Sequence, residues 1–334
     1  MRSTLIIGRV FSFKRSLTCK NNMNSVMTFR ETEKEVIIKA PWGNIAGLTW
    51  GQPSDPPVLL APGRIEPCSA FRPLVHKLPQ KFYYVAIDFP GNGFSDHFPK
   101  GLRFTTYDFI PTVLKVVEHF GWERFAYIGH SLGAAVGKFF EMAYPGRMTR
   151  IVELDPVPAY HTVAYHEIAK WYERMYGGHY SDEAYRKHTG GKEKAPLYTY
   201  QQAKEMFIKV QGLTDEAADC NLERLLEPMG DGLYRLTYDQ RMKSPFVLPF
   251  TAENLRAMYT QTDVPTLAIL AQELVDRGLY THVPFVSDEN AWPNGNYRYK
   301  VVPGNHDLHV NTPGAISDDV ASFLLEGYPK MSKL

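Results

Sequence analysis

From Glu35 onward the apolar positions fall into short runs separated by turns, and the runs alternate between two spacings. Residues 36–39 and 45–50 flank Pro41-Trp42-Gly43-Asn44 and predict a β-hairpin. Residues 58–61, ending at Pro62-Gly63, and 82–87, ending at Asp88, are brief and uniformly apolar, as buried strands are. Residues 104–120 carry the helical period, with Val113, Val116, Val117 and Phe120 on one side and Gly121 past the end. A strand over 124–128, a helix over 132–144 rich in small residues and a strand over 150–154 follow. Strands that alternate with helices predict an α/β fold, a mostly parallel sheet covered on both faces.

The alternation stops after Pro156. Residues 165–176, 199–210, 214–226 and 252–259 read as helices, with little strand character between them. Strand pattern returns at 265–270 and 297–302, and 316–325 reads as a closing amphipathic helix. The expected architecture is therefore one α/β core with a helical lid, about 157–262, inserted after the sixth strand.

Composition narrows the function classes. The chain has 334 residues, with 37 Lys and Arg against 36 Asp and Glu. A formal charge of +1 gives no field to recruit nucleic acid or an anionic membrane, so no nucleic-acid partner is expected. No apolar run is long enough for a transmembrane segment. Cys19, Cys68 and Cys220 are scattered, with neither metal-ligand spacing nor a disulfide framework. Gly91-Asn92-Gly93 lacks the rest of a dinucleotide fingerprint and reads as loop. Neither a metal nor a cofactor is expected.

The two ends carry addresses. Ser332-Lys333-Leu334 is the signal read by the peroxisomal import receptor, which makes the peroxisome the expected location. Residues 1–30 contain Arg2, Arg9, Lys14, Arg15, Lys20 and Arg30 and no acid, as mitochondrial presequences do. They are read as an extension or targeting segment outside the domain spanning 31–334, with mitochondrion or cytoplasm as alternative locations.

The chemistry centres on Gly129-His130-Ser131-Leu132-Gly133, between the strand at 124–128 and the helix at 132–144. A serine on such a sharp strand-to-helix turn presents its hydroxyl above the sheet, and the glycines make room for the turn. The plainer alternative is a helix-capping serine. Serine needs a base to act as a nucleophile. His306, in Val302-Pro303-Gly304-Asn305-His306-Asp307, lies on a glycine-containing loop just past a strand and is the candidate. His309 reads as loop packing or a substrate contact. The Lys187, His188, Lys192 and Lys194 cluster reads as solvated surface.

Together the elbow, the Pro-Gly-Asn-His loop and Asp88-Phe89-Pro90-Gly91-Asn92-Gly93-Phe94-Ser95 resemble the α/β-hydrolase superfamily. Lys39-Ala40-Pro41-Trp42-Gly43-Asn44-Ile45, residues 82–88 and Leu236-Thr237-Tyr238-Asp239-Gln240-Arg241 are similar to the serine hydrolase-like proteins of animals. The resemblance implies the α/β-hydrolase fold and a catalytic set of Ser131, His306 and an acid. Many relatives place that acid after the strand following the lid, where Glu273 and Asp276 stand. Others place it after the strand following the elbow helix, in a Leu-Asp-Pro context like Leu154-Asp155-Pro156, and Asp155 is favoured here. Leu132 and Arg64 are expected to supply the oxyanion-hole N–H groups, although Pro62 stands where the fold usually has histidine.

The resulting expectation is a serine hydrolase of the carboxylesterase, lipase or thioesterase kind, acting on a small-molecule acyl substrate. The lid aromatics Tyr160, Tyr165, Trp171, Tyr172, Tyr176 and Tyr180 are expected to build an apolar pocket wall. The altered loop at 61–64 motivates a second reading, a ligand-binding homologue with weak or absent catalysis.

Overall fold

The computed structural model describes residues 32–190, 195–243 and 247–326. The N-terminal segment read as an address, the Ser332-Lys333-Leu334 end, Cys19, Lys192 and Lys194 lie outside the described residues.

The hairpin forms as expected, with β1 (Lys34–Ala40) antiparallel to β2 (Gly43–Trp50) from Lys34 opposite Thr49 to Ala40 opposite Gly43. The sheet continues with β3 (Pro57–Ala61), β4 (Tyr83–Ile87), β5 (Phe125–His130) and β6 (Met148–Leu154). After a long intervening segment, which contributes β7 (Tyr198–Thr199), β8 (Leu226–Gly230) and β9 (Leu233–Leu236), it is completed by β10 (Thr266–Ala271) and β11 (Tyr297–Val302). The order across the sheet is β1-β2-β4-β3-β5-β6-β10-β11. Only the β1–β2 and β2–β4 pairings are antiparallel.

Every residue of β4, β5 and β10 is buried, which explains why these strands read as continuous apolar runs. Alternate side chains feed two cores. Leu60, Ile128 and Val152 join Phe71, Trp292 and Phe323 in one. Leu59, Tyr127 and Ile151 join Val113, Val116, Val117 and Phe140 in the other. The helix Ile110–Phe120 supplies the three valines and ends at Gly121, whose φ of 67° provides the left-handed stop.

Between β6 and β10 the helices Tyr200–Gln211, Asp215–Leu225 and Ala252–Tyr259 appear near their expected positions. Thr199, Thr214 and Thr251 cap them by accepting from the first-turn N–H groups of Gln202, Ala217 and Asn254. The segment departs from the helical lid expected from the sequence, because β7, β9 and β8 pair as a separate antiparallel sheet. Two arginines fasten the segment to the core. Arg224 donates through Nε and Nη2 to Asp88 at 3.0 and 2.8 Å. Arg241 donates to the carbonyls of Phe98, Pro99 and Leu102.

Candidate active site

Ser131 sits between the last residue of β5 and the helix Leu132–Ala143, with φ 51° and ψ −111°. Few non-glycine residues adopt that conformation, and it is held by tight packing on either side. A Cβ on Gly133 would strike the Ala61 carbonyl, and one on Gly129 would strike the backbone of Gly133 and Ala134. Glycine at both places lets the helix approach the ends of β3 and β5. The Ser131 N–H donates to the Leu154 carbonyl at 3.0 Å, which ties the turn to β6.

The loop after β11 brings His306 over this serine. The Ser131 hydroxyl donates to His306 Nε2 at 2.9 Å, and His306 Nδ1–H donates to Asp155 Oδ2 at 2.5 Å. Asp155 follows β6, is fully buried and has φ 40°. Its other oxygen, Oδ1, accepts from the Ala271 N–H at 3.0 Å and the Tyr280 hydroxyl at 2.8 Å. Burial holds the Tyr280 phenol well above its ordinary pKa, and the neighbouring Asp155 charge adds to this, so it remains a donor.

The other two acid candidates lie elsewhere. Glu273 is exposed and pairs with Arg277 at 3.5 Å, and Asp276 accepts from Gln272 at 2.7 Å. Both border a shallow surface hollow with Gly212 and Asn305. The end of β10, where they begin, contributes a backbone N–H to Asp155 instead.

The loop after β3 faces the serine. The Gly63 N–H donates to Glu66 Oε2, which leaves the next N–H, that of Arg64, without an acceptor among the described residues. Leu132 opens its helix, so no intrahelical carbonyl takes its N–H. Ile65 has φ 58°, a costly value for a β-branched residue, within the same loop.

A buried polar cluster beneath the site was not anticipated from the sequence. His130 donates through Nδ1 to Glu66 Oε2 at 2.7 Å and through Nε2 to the His306 carbonyl at 3.0 Å. Both ring nitrogens face acceptors, so the imidazole carries both protons. Burial alone lowers its pKa, but the Glu66 charge and hydrogen bond outweigh this and raise it to about 9. Glu66 is held well below the usual carboxylate range by His130 and His309 despite its burial. His309 packs at a tilt against Phe71 and His130, with ring centroids 5.0 and 4.2 Å away, and its Nε2 lies 2.8 Å from Glu66 Oε1. Its burial lowers its pKa, which keeps it neutral.

Glu66, His130 and His309 present potential metal-ligating atoms within 4.8 Å of one another. A cation does not fit them as they stand. Glu66 Oε2 already accepts from Gly63 and His130, and both His130 nitrogens are occupied as donors.

Ser131 and His306 open onto a cavity of about 510 Å³. Its apolar wall comes from Val157, Pro158, Val247, Leu274 and Leu279 rather than from the aromatics expected. Tyr160 is buried in the core and donates to Glu153 at 3.1 Å, whereas Tyr165, Tyr172 and Tyr180 face solvent.

Residues 56–313 match the family model described as alpha/beta hydrolase fold. A serine hydrolase-like protein of Danio rerio is 30% identical over 92% of this chain and 93% of its own. Serine hydrolase-like protein 2 of Homo sapiens is 28% identical over 87% of this chain and 93% of its own. A hypothetical protein from Pseudomonas aeruginosa superposes with a TM-score of 0.70 at 27% identity, over 87% of this chain and 97% of that one.

Proposed function

Because the chain belongs to the α/β-hydrolase fold family, we propose that it is a serine hydrolase that cleaves a carboxylic ester or thioester through an acyl-enzyme on Ser131. The observation that carries this reading is the hydrogen-bonded chain from Ser131 through His306 to Asp155 at the floor of a partly apolar cavity. In the first half-reaction Ser131 Oγ bonds to the substrate carbonyl carbon and its proton passes to His306 Nε2. Asp155 fixes the Nδ1–H tautomer and stabilises the imidazolium. The negative charge on the carbonyl oxygen is met by the Leu132 and Arg64 N–H groups. The bond to the alcohol or thiol then breaks, and the leaving group takes the proton from His306. Water repeats the sequence on the acyl-enzyme, giving up its proton to His306 and releasing the acid.

Acyl groups with an apolar body suit the wall formed by Val157, Val247, Leu274 and Leu279. Labelling with a fluorophosphonate tests the reading, with the adduct mapped by mass spectrometry. The folded protein is expected to carry the label on Ser131 and the heat-denatured protein is not. Equal absence of label from both would overturn the assignment.

A further inference from the structure

We propose that the substrate carries an anionic group, a carboxylate or phosphate, that docks against Arg64, Lys243 and Arg277 beside Ser131; this rests on the hydrolase reading above. All three residues line the same cavity as Ser131 and His306, and no Asp or Glu among the described residues lines it. The whole chain has 37 basic residues and 36 acidic ones, so the imbalance belongs to this cavity and not to the surface at large. A cavity lined by one sign of charge concentrates ligands of the other.

The three cations have little to neutralise them. Arg64 reaches solvent at the cavity mouth, and Nη1 donates to the Lys243 carbonyl at 3.0 Å. No carboxylate pairs with it among the described residues. Neighbouring atoms desolvate its guanidinium and lower its pKa, with no opposing charge to raise it. Its positive charge is also felt by Arg103, whose pKa is pushed down, first by burial, to about 10. Lys243 Nζ lies over the Tyr238 ring, 5.6 Å from the centroid. Arg277 has a carboxylate partner in Glu273, but their side chains are 62% and 54% exposed, and such a pair is readily exchanged for a ligand. His161 adds no charge near neutral pH, because desolvation and then Arg174 lower its pKa.

A guanidinium offers paired N–H groups to a carboxylate or phosphate. The apolar wall and charged rim together describe an ester or thioester with an apolar body and an anionic end.

The test is binding to the full-length Ser131→Ala protein, which separates recognition from turnover. Monomethyl adipate, dimethyl adipate and 4-acetoxybutyl phosphate are titrated by calorimetry at low salt and at about 0.5 M salt, where exposed charges are screened. At least one anionic probe is expected to bind about tenfold or more tighter than the neutral diester at low salt. The advantage is expected to shrink at high salt and in the Arg64→Gln/Lys243→Gln/Arg277→Gln variant. Arg277→Gln alone provides the same comparison where the triple variant does not fold. The stronger of the two anions identifies the group recognised. Equal or tighter binding of the neutral diester, no binding of any probe, or an advantage indifferent to both salt and Arg277→Gln would overturn the proposal. Failure of Ser131 labelling in the wild type would instead overturn the hydrolase reading, and this binding result would stand independently of it.

Discussion

His130 donates a hydrogen bond to the main-chain carbonyl of His306 across 3.0 Å, from inside the elbow that presents Ser131. The same imidazole is held on its other side by Glu66 at 2.7 Å. A buried ion pair thus grips the backbone that carries the proposed base. The His130 pKa of about 9 in the folded protein lies above its ordinary value of 6.5. Stability from this charge is therefore full below about pH 6.5 and is lost as pH rises through about 9. The loss is on the order of 3 kcal/mol at about 1.36 kcal/mol per pKa unit. Urea midpoints measured between pH 6.5 and 9.5 are expected to fall for wild type and to fall much less for Glu66→Gln/His130→Gln. Parallel curves for the two proteins would show that His130 is not the titrating group.

Asp155 occupies the position next to His306 that Glu273 and Asp276 were also candidates to fill. Asp155→Asn is expected to reduce kcat on a neutral ester by about 10³–10⁴-fold, because the amide favours the wrong imidazole tautomer. Glu273→Gln and Asp276→Asn are expected to stay within about twofold of wild type on the same ester, as exposed substitutions away from the reacting atoms usually do. A large loss in either, with Asp155→Asn unaffected, would reassign the acid.

How far the sequence revealed this arrangement depended on the range of each interaction. The elbow was legible because its glycines and its strand-to-helix switch are local to Gly129 and Gly133. The sheet was legible because fully buried parallel strands such as β5 and β10 leave uninterrupted apolar runs. Asp155 remained one of three acids, since only the fold decides which strand end reaches His306. Glu66 left no signal at all: its partner His130 is 64 positions away, and one glutamate in a loop has no period. The small sheet was missed because β7 has two residues and β8 contains Pro228, so neither displays a strand pattern. The pocket wall was misassigned because aromatic residues on short helices read alike whether they face a cavity, the core or solvent.

Gly133 offers a direct test of how closely the elbow helix and the loop after β3 must approach. In Gly133→Ala the new methyl group would meet the Ala61 and Pro62 carbonyl oxygens, which are backbone atoms with little freedom to move. Overpacking of this kind costs about 1–3 kcal/mol. The shift would also displace the Arg64 N–H relative to Leu132. Thermal unfolding is therefore expected to show a lowered Tm, and ester turnover is expected to fall through kcat more than through KM, since an oxyanion donor acts in the transition state. A stable variant with unchanged kcat would mean that the loop tolerates the movement.

Arg224 decides whether the segment between β6 and β10 behaves as a hinged cover or as part of the core. Its guanidinium is fully buried, bonded to the buried Asp88, and stacked on Phe94 with a 4.2 Å separation from the ring centroid. Asp88 in turn accepts from the Cys68 and Phe94 N–H groups at 2.7 and 3.0 Å, so the pair is built into the loop after β4. Opening the segment at this point would strand both charges. Arg224→Met is accordingly expected to cost about 3–5 kcal/mol, because it leaves Asp88 buried without a counter-charge. Arg224→Met/Asp88→Asn is expected to recover part of that loss, since the uncompensated charge is removed while the amide oxygen can still accept one of the two backbone bonds, from Cys68 or Phe94. Denaturant unfolding of wild type and the variants measures both quantities. A single-variant loss below about 1 kcal/mol, the size of an exposed pair, would show that this ion pair does not fasten the segment to the core.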